Sequence, residues 1–147
     1  MNTGKFHKQY SSCLEAPRAV ASDILPFWQS LGLDVTVIGQ MELCLVEIVN
    51  NVFEHAYSNL EGAKFEITSY LNDTKELIIE VSDYGDSMPT NILKDLPKMD
   101  FIEPLATEPS TWLQSRRGLK IIQQLSDKIE YNSNENRNTF KLQRQTS

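Results

Sequence analysis

The most constraining feature of this sequence is a row of polar residues within one apolar, helix-forming segment. Between residues 41 and 57, apolar side chains recur at intervals of three and four positions, which predicts an amphipathic helix with one buried face. Glu47, Asn51 and His55 are each four positions apart, so a helix would place them along a single edge. Such a row is either a candidate site or a polar boundary where the helix meets water.

Two further segments carry candidate site residues. Residues 77–82 are rich in branched side chains and predict a β-strand, with Asp83 at its end and Gly85 in the following turn. A glycine there lets another group come close to the backbone. Downstream, a glycine-containing turn is predicted to open an amphipathic helix, a position that favours an anion. That turn comprises Arg116, Arg117, Gly118 and Leu119.

The pattern along the whole chain predicts an α+β fold. Helices are expected over 18–31, 35–57 and 117–125, and strands over 5–14, 64–71, 76–82, 128–131 and 139–143. Pro26 is expected to kink or break the first helix. Together these elements predict a two-layer α/β sandwich of about five mostly antiparallel strands with three longer helices on one face. A short helix over 91–96 and a long lid-like loop over about 97–116 would connect its halves.

Composition excludes several classes of protein. A chain of 147 residues is sized for one domain, over residues 1–147. Its net charge of −6 argues against binding to the phosphates of nucleic acids. The N-terminal residues lack the apolar core of a signal peptide, and no apolar run approaches the roughly 20 residues of a membrane span. We therefore expect a cytoplasmic protein that contacts neither nucleic acid nor membrane directly.

The order of the three polar segments resembles the N, G1 and G2 boxes of the GHKL superfamily of ATP-binding proteins. This superfamily includes gyrase-type ATPases, Hsp90 chaperones and histidine kinases. Residues 47–57, with the sequence Glu-Ile-Val-Asn-Asn-Val-Phe-Glu-His-Ala-Tyr, resemble the N box. Residues 129–142 resemble the last strand pair of the family. Within the superfamily, the sequence is most similar to the single-domain anti-sigma-factor serine kinases. The resemblance implies a histidine-kinase-like ATP-binding domain with the GHKL (Bergerat) fold.

The resemblance also implies roles for the site residues. Glu47 would be the general base that takes the proton of a substrate serine, and Asn51 would bind the Mg²⁺ ion that accompanies ATP. Asp83 would accept a hydrogen bond from the adenine amino group, while Gly85 would let the base come close. His55 is expected either to have a structural role or to support a residue that contacts the ligand. The phosphates would be contacted by Arg116, Arg117, Gly118 and Leu119.

The function implied by the resemblance is that of an ATP- and Mg²⁺-dependent protein serine/threonine kinase. Its partner would be a STAS-domain anti-sigma antagonist, which the kinase would phosphorylate and bind in a partner-switching pathway. A sigma factor is a second candidate partner, and a homodimer is compatible with the resemblance.

Departures from the family pattern support an alternative function. Asp86 follows Gly85 where the family has a small or turn-forming residue, and it would repel phosphate if it pointed inward. Arg116 replaces the glycine that usually precedes the G2 motif, and Arg137 stands where a glycine is common. The lid over about 97–116 contains no glycine. The alternative is a protein-interaction switch with the same fold that binds nucleotide weakly or not at all.

Overall fold

The computed structural model describes residues 4–88 and 111–146, with the backbone alone for residues 111–117. Within these residues, helices pack on one face of an antiparallel sheet. The elements in chain order are β1 (Phe6–Ser11), α1 (Ala16–Ser30), α2 (Val35–Asn51), a π-helical turn (Val52–Ala56), β2 (Lys64–Leu71), β3 (Glu76–Asp83), α3 (Thr111–Leu125), β4 (Lys128–Asn134) and β5 (Arg137–Gln145).

The strands of the described residues form one five-stranded sheet in the order β1-β2-β3-β5-β4, and each neighbouring pair is antiparallel. Strand β3 is central, and its register places Asp83 beside Phe65 of β2 and Asn138 of β5. The predicted α+β sandwich, with five antiparallel strands and three longer helices, is confirmed. The sheet therefore brings the end of β3 next to a polar residue that lies far away in the sequence.

Helix α2 is the central helix, in contact with both α1 and α3. Asp34 caps its first turn by accepting a hydrogen bond from the Thr36 N–H at 2.9 Å. Its predicted apolar face is buried against the inner face of the sheet. The buried residues of α2 are Val37, Met41, Cys44, Leu45, Ile48 and Val49. The burial of this face determines which edge of the helix carries Glu47 and Asn51.

The segment Val35–Ala56 is also long and apolar enough to span a membrane by length and composition alone. The expectation that no segment reaches that length was wrong here. Many apolar residues of this segment, from Val37 to Val52, belong to the core between the helices and the sheet, whereas Val35 and Leu43 are exposed. Core packing therefore accounts for most of its buried apolar face.

Two helices differ from the prediction. Helix α1 is not broken at Pro26, because Ile24 and Trp28 on either side are fully buried and hold the helix on the sheet. Helix α2 ends at Asn51, and the chain continues as the π-helical turn, closed by a hydrogen bond from the Tyr57 N–H to the Val52 carbonyl at 3.0 Å. Single π-helical turns within helices often occur at functional sites.

The predicted turn of the G2 segment is also wrong. Helix α3 begins at Thr111, so Gly118 lies inside the helix and not at its start. Leu119 and Ile122 are fully buried and anchor this helix in the core, which outweighs the cost of about 1 kcal/mol for an interior glycine. The predicted lid thus overlaps α3 at residues 111–116. Residues 97–110 and the short helix predicted over 91–96 lie outside the described residues.

A buried chain of hydrogen bonds ties α1 to the sheet. The indole Nε1 of Trp28, whose side chain is fully buried, donates to Ser69 Oγ at 3.0 Å. Ser69 Oγ donates in turn to the Ile78 carbonyl at 2.8 Å. The hydroxyl therefore satisfies the one polar group that Trp28 brings into the core.

We predict that Ser69→Ala lowers the free energy of unfolding by about 1–3 kcal/mol, because it leaves the buried indole N–H of Trp28 without a partner. Chemical denaturation measures this change. The matched control is Ser30→Ala at an exposed serine, where water can replace the hydroxyl, so a change below about 0.5 kcal/mol is expected. Equal losses in the two variants would contradict the assigned role of Ser69.

Candidate functional site

One small cavity brings together two of the predicted site residues, Asn51 and Asp83. It lies where the end of α2 and the π-helical turn meet the end of β3 and the inner face of β4 and β5. Its other lining residues are Ile48, Val52, Ala56, Asp86, Met88, Tyr131 and Phe140. The cavity measures about 30 Å³ and is partly open to solvent. A purine base would have to widen it.

Asp83 is the buried carboxylate of this cavity, with 6% of its surface exposed. Its Oδ1 accepts hydrogen bonds from the Gly85 N–H at 2.9 Å and from Asn138 Nδ2 at 2.8 Å. Burial raises the pKa of Asp83 above its ordinary value, and these two hydrogen bonds oppose that rise. No described residue donates to Oδ2.

Asn138 is a site residue that the sequence analysis did not identify. It is 1% exposed, and it faces Asp83 across the β3–β5 pairing. The available signal was the alternation along β5, where Asn138 precedes the inward-facing Phe140 and Leu142 at intervals of two. A carboxamide on the apolar face of a strand needs buried hydrogen-bond partners, but the sequence does not say which residues supply them.

Gly85 is required by the packing of its turn against the end of the π-helical turn. A Cβ at this position would lie 2.6 Å from the carbonyl carbon of Ala56 and 2.8 Å from Cδ1 of Tyr57. The Asp86 N–H donates to the same Ala56 carbonyl at 2.8 Å. The close approach that glycine permits is therefore made by the protein's own backbone, which accounts for Gly85 independently of any ligand.

Tyr57, which follows the π-helical turn, also contacts the turn after β3. The sequence analysis did not identify this residue. Its hydroxyl donates to the Lys64 carbonyl and accepts from the Tyr84 N–H at 2.9 Å. The end of α2 and the turn after β3 are thus joined by Tyr57 and by the contact between Ala56 and Gly85. This junction fixes the position of Asn51 relative to Asp83.

Arg137 does not need to be a glycine in this fold. The β4–β5 turn is made by Glu135 and Asn136, which adopt positive φ values of 53° and 65°. Arg137 is the first residue of β5, and its guanidinium donates to Glu66 on the neighbouring part of the sheet at 3.1 Å. The two residues with a left-handed conformation precede Arg137, so an arginine fits at position 137 without backbone strain.

Glu47 lies one helical turn before Asn51 and packs against helix α3. A Cβ on Gly118 would lie 2.5 Å from Glu47 Oε2 and 3.3 Å from Cδ, so a side chain there would displace the end of this carboxylate. Burial raises the pKa of Glu47, and the charge of Glu54 adds to that rise. A carboxylate with a raised pKa is a stronger base near neutral pH.

Among the described atoms, the remaining predicted site residues His55, Gly118 and Leu119 do not line the cavity. Burial lowers the pKa of His55, while the charge of Glu54 opposes this shift. The side chain of Leu119 is buried in the core. The free N–H groups of a helix are those of its first turn, which in α3 starts at Thr111, so Gly118 and Leu119 do not offer theirs to an anion. The side chains of Arg116 and Arg117 lie outside the described atoms.

We predict that Gly85→Ala lowers the free energy of unfolding by about 1–3 kcal/mol, because the new Cβ meets rigid backbone at Ala56. Gly39→Ala is the matched control. Gly39 is an exposed residue of α2, and no atom lies within 4 Å of the position that a Cβ would take there, so alanine should raise stability by about 0.5–1 kcal/mol. Denaturation curves that move in the same direction for both variants would contradict this packing role.

A sequence profile described as "Histidine kinase-like ATPase domain" matches residues 11–144, nearly the whole chain. The chain belongs to this family. Membership in the histidine kinase-like ATPases confirms the resemblance to the GHKL superfamily and implies a nucleotide-binding domain. No curated protein matches this ATPase-family chain significantly.

Solved structures share the fold of this histidine kinase-like ATPase. The RsbU and RsbW domains of Rv1364c from Mycobacterium tuberculosis match with a TM-score of 0.68 and 17% identity, over 97% of this chain and 32% of that chain. A chain of the SiaB-SiaC complex from Pseudomonas aeruginosa matches with a TM-score of 0.60 and 10% identity, over 93% of this chain and 88% of that chain. The blue-light activated histidine kinase EL346 of Erythrobacter litoralis matches with a TM-score of 0.55 and 17% identity, over 78% of this chain and 32% of that chain.

This chain spans about a third of the Mycobacterium and Erythrobacter chains, since it covers 32% of each. At identities of 10% to 17%, these likenesses establish the common fold alone.

Proposed function

We propose that this protein is a cytoplasmic, ATP- and Mg²⁺-dependent protein serine/threonine kinase of the anti-sigma-factor type. The observation that carries the proposal is the convergence of Asn51 and Asp83 on one cavity, with Glu47 one turn earlier on the same helix. Membership in the histidine kinase-like ATPase family supports nucleotide binding.

Asn51 is the proposed Mg²⁺ ligand. Magnesium prefers oxygen ligands, takes few of them from protein and keeps waters and phosphate oxygens as the others. The carboxamide of Asn51 fits this requirement because it ends α2 at the cavity and can present one neutral oxygen. When bound, the ion would neutralise phosphate charge during transfer.

Asp83 is the proposed adenine-binding residue. Its Oδ1 already accepts two hydrogen bonds, and its Oδ2 has no donor among the described residues. An ionised carboxylate only accepts hydrogen bonds, so Oδ2 suits the amino group of adenine and not the carbonyl group of guanine.

Glu47 is the proposed general base. Its burial against α3 raises the pKa of the carboxyl group, which favours acceptance of a proton from a substrate hydroxyl. Gly118 would act through Glu47, since its missing side chain makes room for the carboxylate.

The proposed partner is a STAS-domain anti-sigma antagonist, with a sigma factor as a second binding partner. Two of the structures that share the fold support a role in partner binding. One contains an RsbW domain together with an RsbU domain, and the other is a complex of SiaB with SiaC. The proposal involves no direct contact with nucleic acid or membrane, and it is compatible with a homodimer.

The second candidate is a protein-interaction switch that binds nucleotide weakly or not at all. Two observations favour it. The cavity at Asp83 measures only about 30 Å³, and Asp86 adds another carboxylate to its lining. A ligand that carries phosphates would have to widen the cavity and approach two acidic side chains.

Calorimetric titration of ATP with Mg²⁺ tests the site directly. We expect the wild type to bind and Asn51→Ala to lose at least about tenfold in affinity, because it removes the metal ligand. Asn50→Ala is the matched control, since its side chain projects about 100° away on the same helix and its loss should leave binding unchanged. A folded wild type that does not bind ATP would contradict the kinase and favour the switch.

Phosphoryl transfer to the cognate STAS protein tests the base. Glu47→Gln is expected to retain ATP binding and to lower the single-turnover rate by about 10²- to 10⁴-fold. Gly118→Ala should lower it as well while the fold is retained, because its Cβ displaces the flexible end of Glu47. Glu42→Gln, on the same helix, is the control. Unchanged transfer by Glu47→Gln would exclude Glu47 as the base.

A further inference from the structure

Asn138 stands directly behind the carboxylate of Asp83, and both ends of its carboxamide are hydrogen-bonded. Its Nδ2 donates to Asp83 Oδ1 at 2.8 Å and to the Gly85 carbonyl at 2.9 Å. Its Oδ1 lies within hydrogen-bond distance of the hydroxyls of Ser87, at 3.0 Å, and Ser133, at 2.7 Å. These two hydroxyls also bond each other at 2.8 Å, and each has one proton to donate. Both Nδ2 donors are therefore used, and Oδ1 accepts from at least one hydroxyl.

These partners determine the orientation of the carboxamide. The two groups at Nδ2, the ionised carboxylate of Asp83 and the carbonyl of Gly85, can only accept hydrogen bonds. The two groups at Oδ1 are hydroxyls, which can donate. A flipped amide would point its oxygen at Asp83 and Gly85 and lose both bonds. Asn138 is thus held in one orientation by the chemistry of its neighbours.

The fixed carboxamide in turn fixes Asp83. Oδ1 receives two donors, from Asn138 and from the Gly85 N–H, and both belong to backbone or side chains that are themselves anchored. Rotation of the carboxylate would break both bonds in a site where water has little access. Asp83 therefore presents one oxygen, Oδ2, in one position. Asn138 also favours the ionised form of Asp83, because it donates to it.

We propose that Asn138 is the residue that sets base selectivity, because it makes Asp83 a fixed acceptor with a single available oxygen. The site then prefers a purine nucleotide with an exocyclic amino group over one with a carbonyl at the same position. This inference rests on the proposed nucleotide site and assigns its specificity to a residue on another strand. Asn138 acts through Asp83 and is a positioning residue.

The behaviour of the Asp83 carboxyl group without Asn138 explains why the loss of Asn138 would relax base selectivity. Without the Nδ2 donor, the Asp83 carboxyl group can rotate or take up a proton. A protonated carboxyl group can donate a hydrogen bond to a purine carbonyl, which the ionised form cannot do. Among the described residues, the other ionisable groups around it are Asp86, which lines the cavity, and the hydroxyls of Tyr131 and Tyr57, which accept hydrogen bonds from backbone N–H groups.

The test compares the affinities of ATP and inosine triphosphate, each with Mg²⁺, by calorimetry on the same protein. Inosine triphosphate carries a carbonyl in place of the amino group. We expect the wild type to prefer ATP by about 10- to 100-fold. Asn138→Ala and Asn138→Asp should reduce that preference at least about fivefold. Asn138→Asp keeps the shape and the acceptor for Ser87 and Ser133, but it removes the donors to Asp83.

Thr139→Val is the matched control. Thr139 neighbours Asn138 on β5, and its hydroxyl pairs across the strands with that of Ser82 at 3.0 Å on the opposite face of the sheet. Its loss should leave the ratio of the two affinities unchanged. Because both affinities come from one protein, general damage to the site weakens both nucleotides and leaves their ratio as it was.

The outcomes separate this inference from the proposed function. A wild type that binds ATP, with Asn138 variants that lose affinity for both nucleotides in equal proportion, overturns the role of Asn138 alone. A wild type that binds both nucleotides equally also overturns it, and this result does not depend on the folding of any variant. A folded wild type that binds neither nucleotide overturns the proposed function and this inference with it.

Discussion

The burial of the Asp83 carboxylate is the constraint on which the rest of the site depends. A charged group loses its hydration when it is buried, and the loss must be offset by hydrogen bonds. Asn138 on the neighbouring strand and the N–H of Gly85 supply them, both at Oδ1. The antiparallel register of β3 and β5 is what brings Asn138 to this place. The other oxygen, Oδ2, receives no hydrogen bond from the residues that the structure describes.

The junction between helix α2 and the turn after β3 is the second constraint. Gly85 packs so closely under the Ala56 carbonyl that no side chain fits, and Tyr57 joins the Lys64 carbonyl to the Tyr84 N–H. The π-helical turn lies between Asn51 and this junction. The separation between Asn51 and Asp83 is therefore set by packing and hydrogen bonds of the fold itself, before any ligand binds.

The α+β fold and the elements that carry the candidate site residues could be predicted because their signals are local. The period of the apolar residues in α2 indicated which edge carries Glu47 and Asn51, and the run of branched residues placed Asp83 at a strand end. The G2 prediction failed at Gly118 because glycine is a weak signal for a turn where buried neighbours hold the helix together. Its contact with Glu47, from a different helix, has no local signal.

The sequence by itself determined the periodicities, and with them the helices, the strands and the polar row on α2. These follow from side-chain spacing, since each residue's face depends on its neighbours in the chain. Only the tertiary structure decided that Asn138 orients Asp83, that Gly85 serves the packing of Ala56 and that Gly118 makes room for Glu47. Those relations are set by distances between residues far apart in the chain, which arise when the sheet pairs and the helices pack on it.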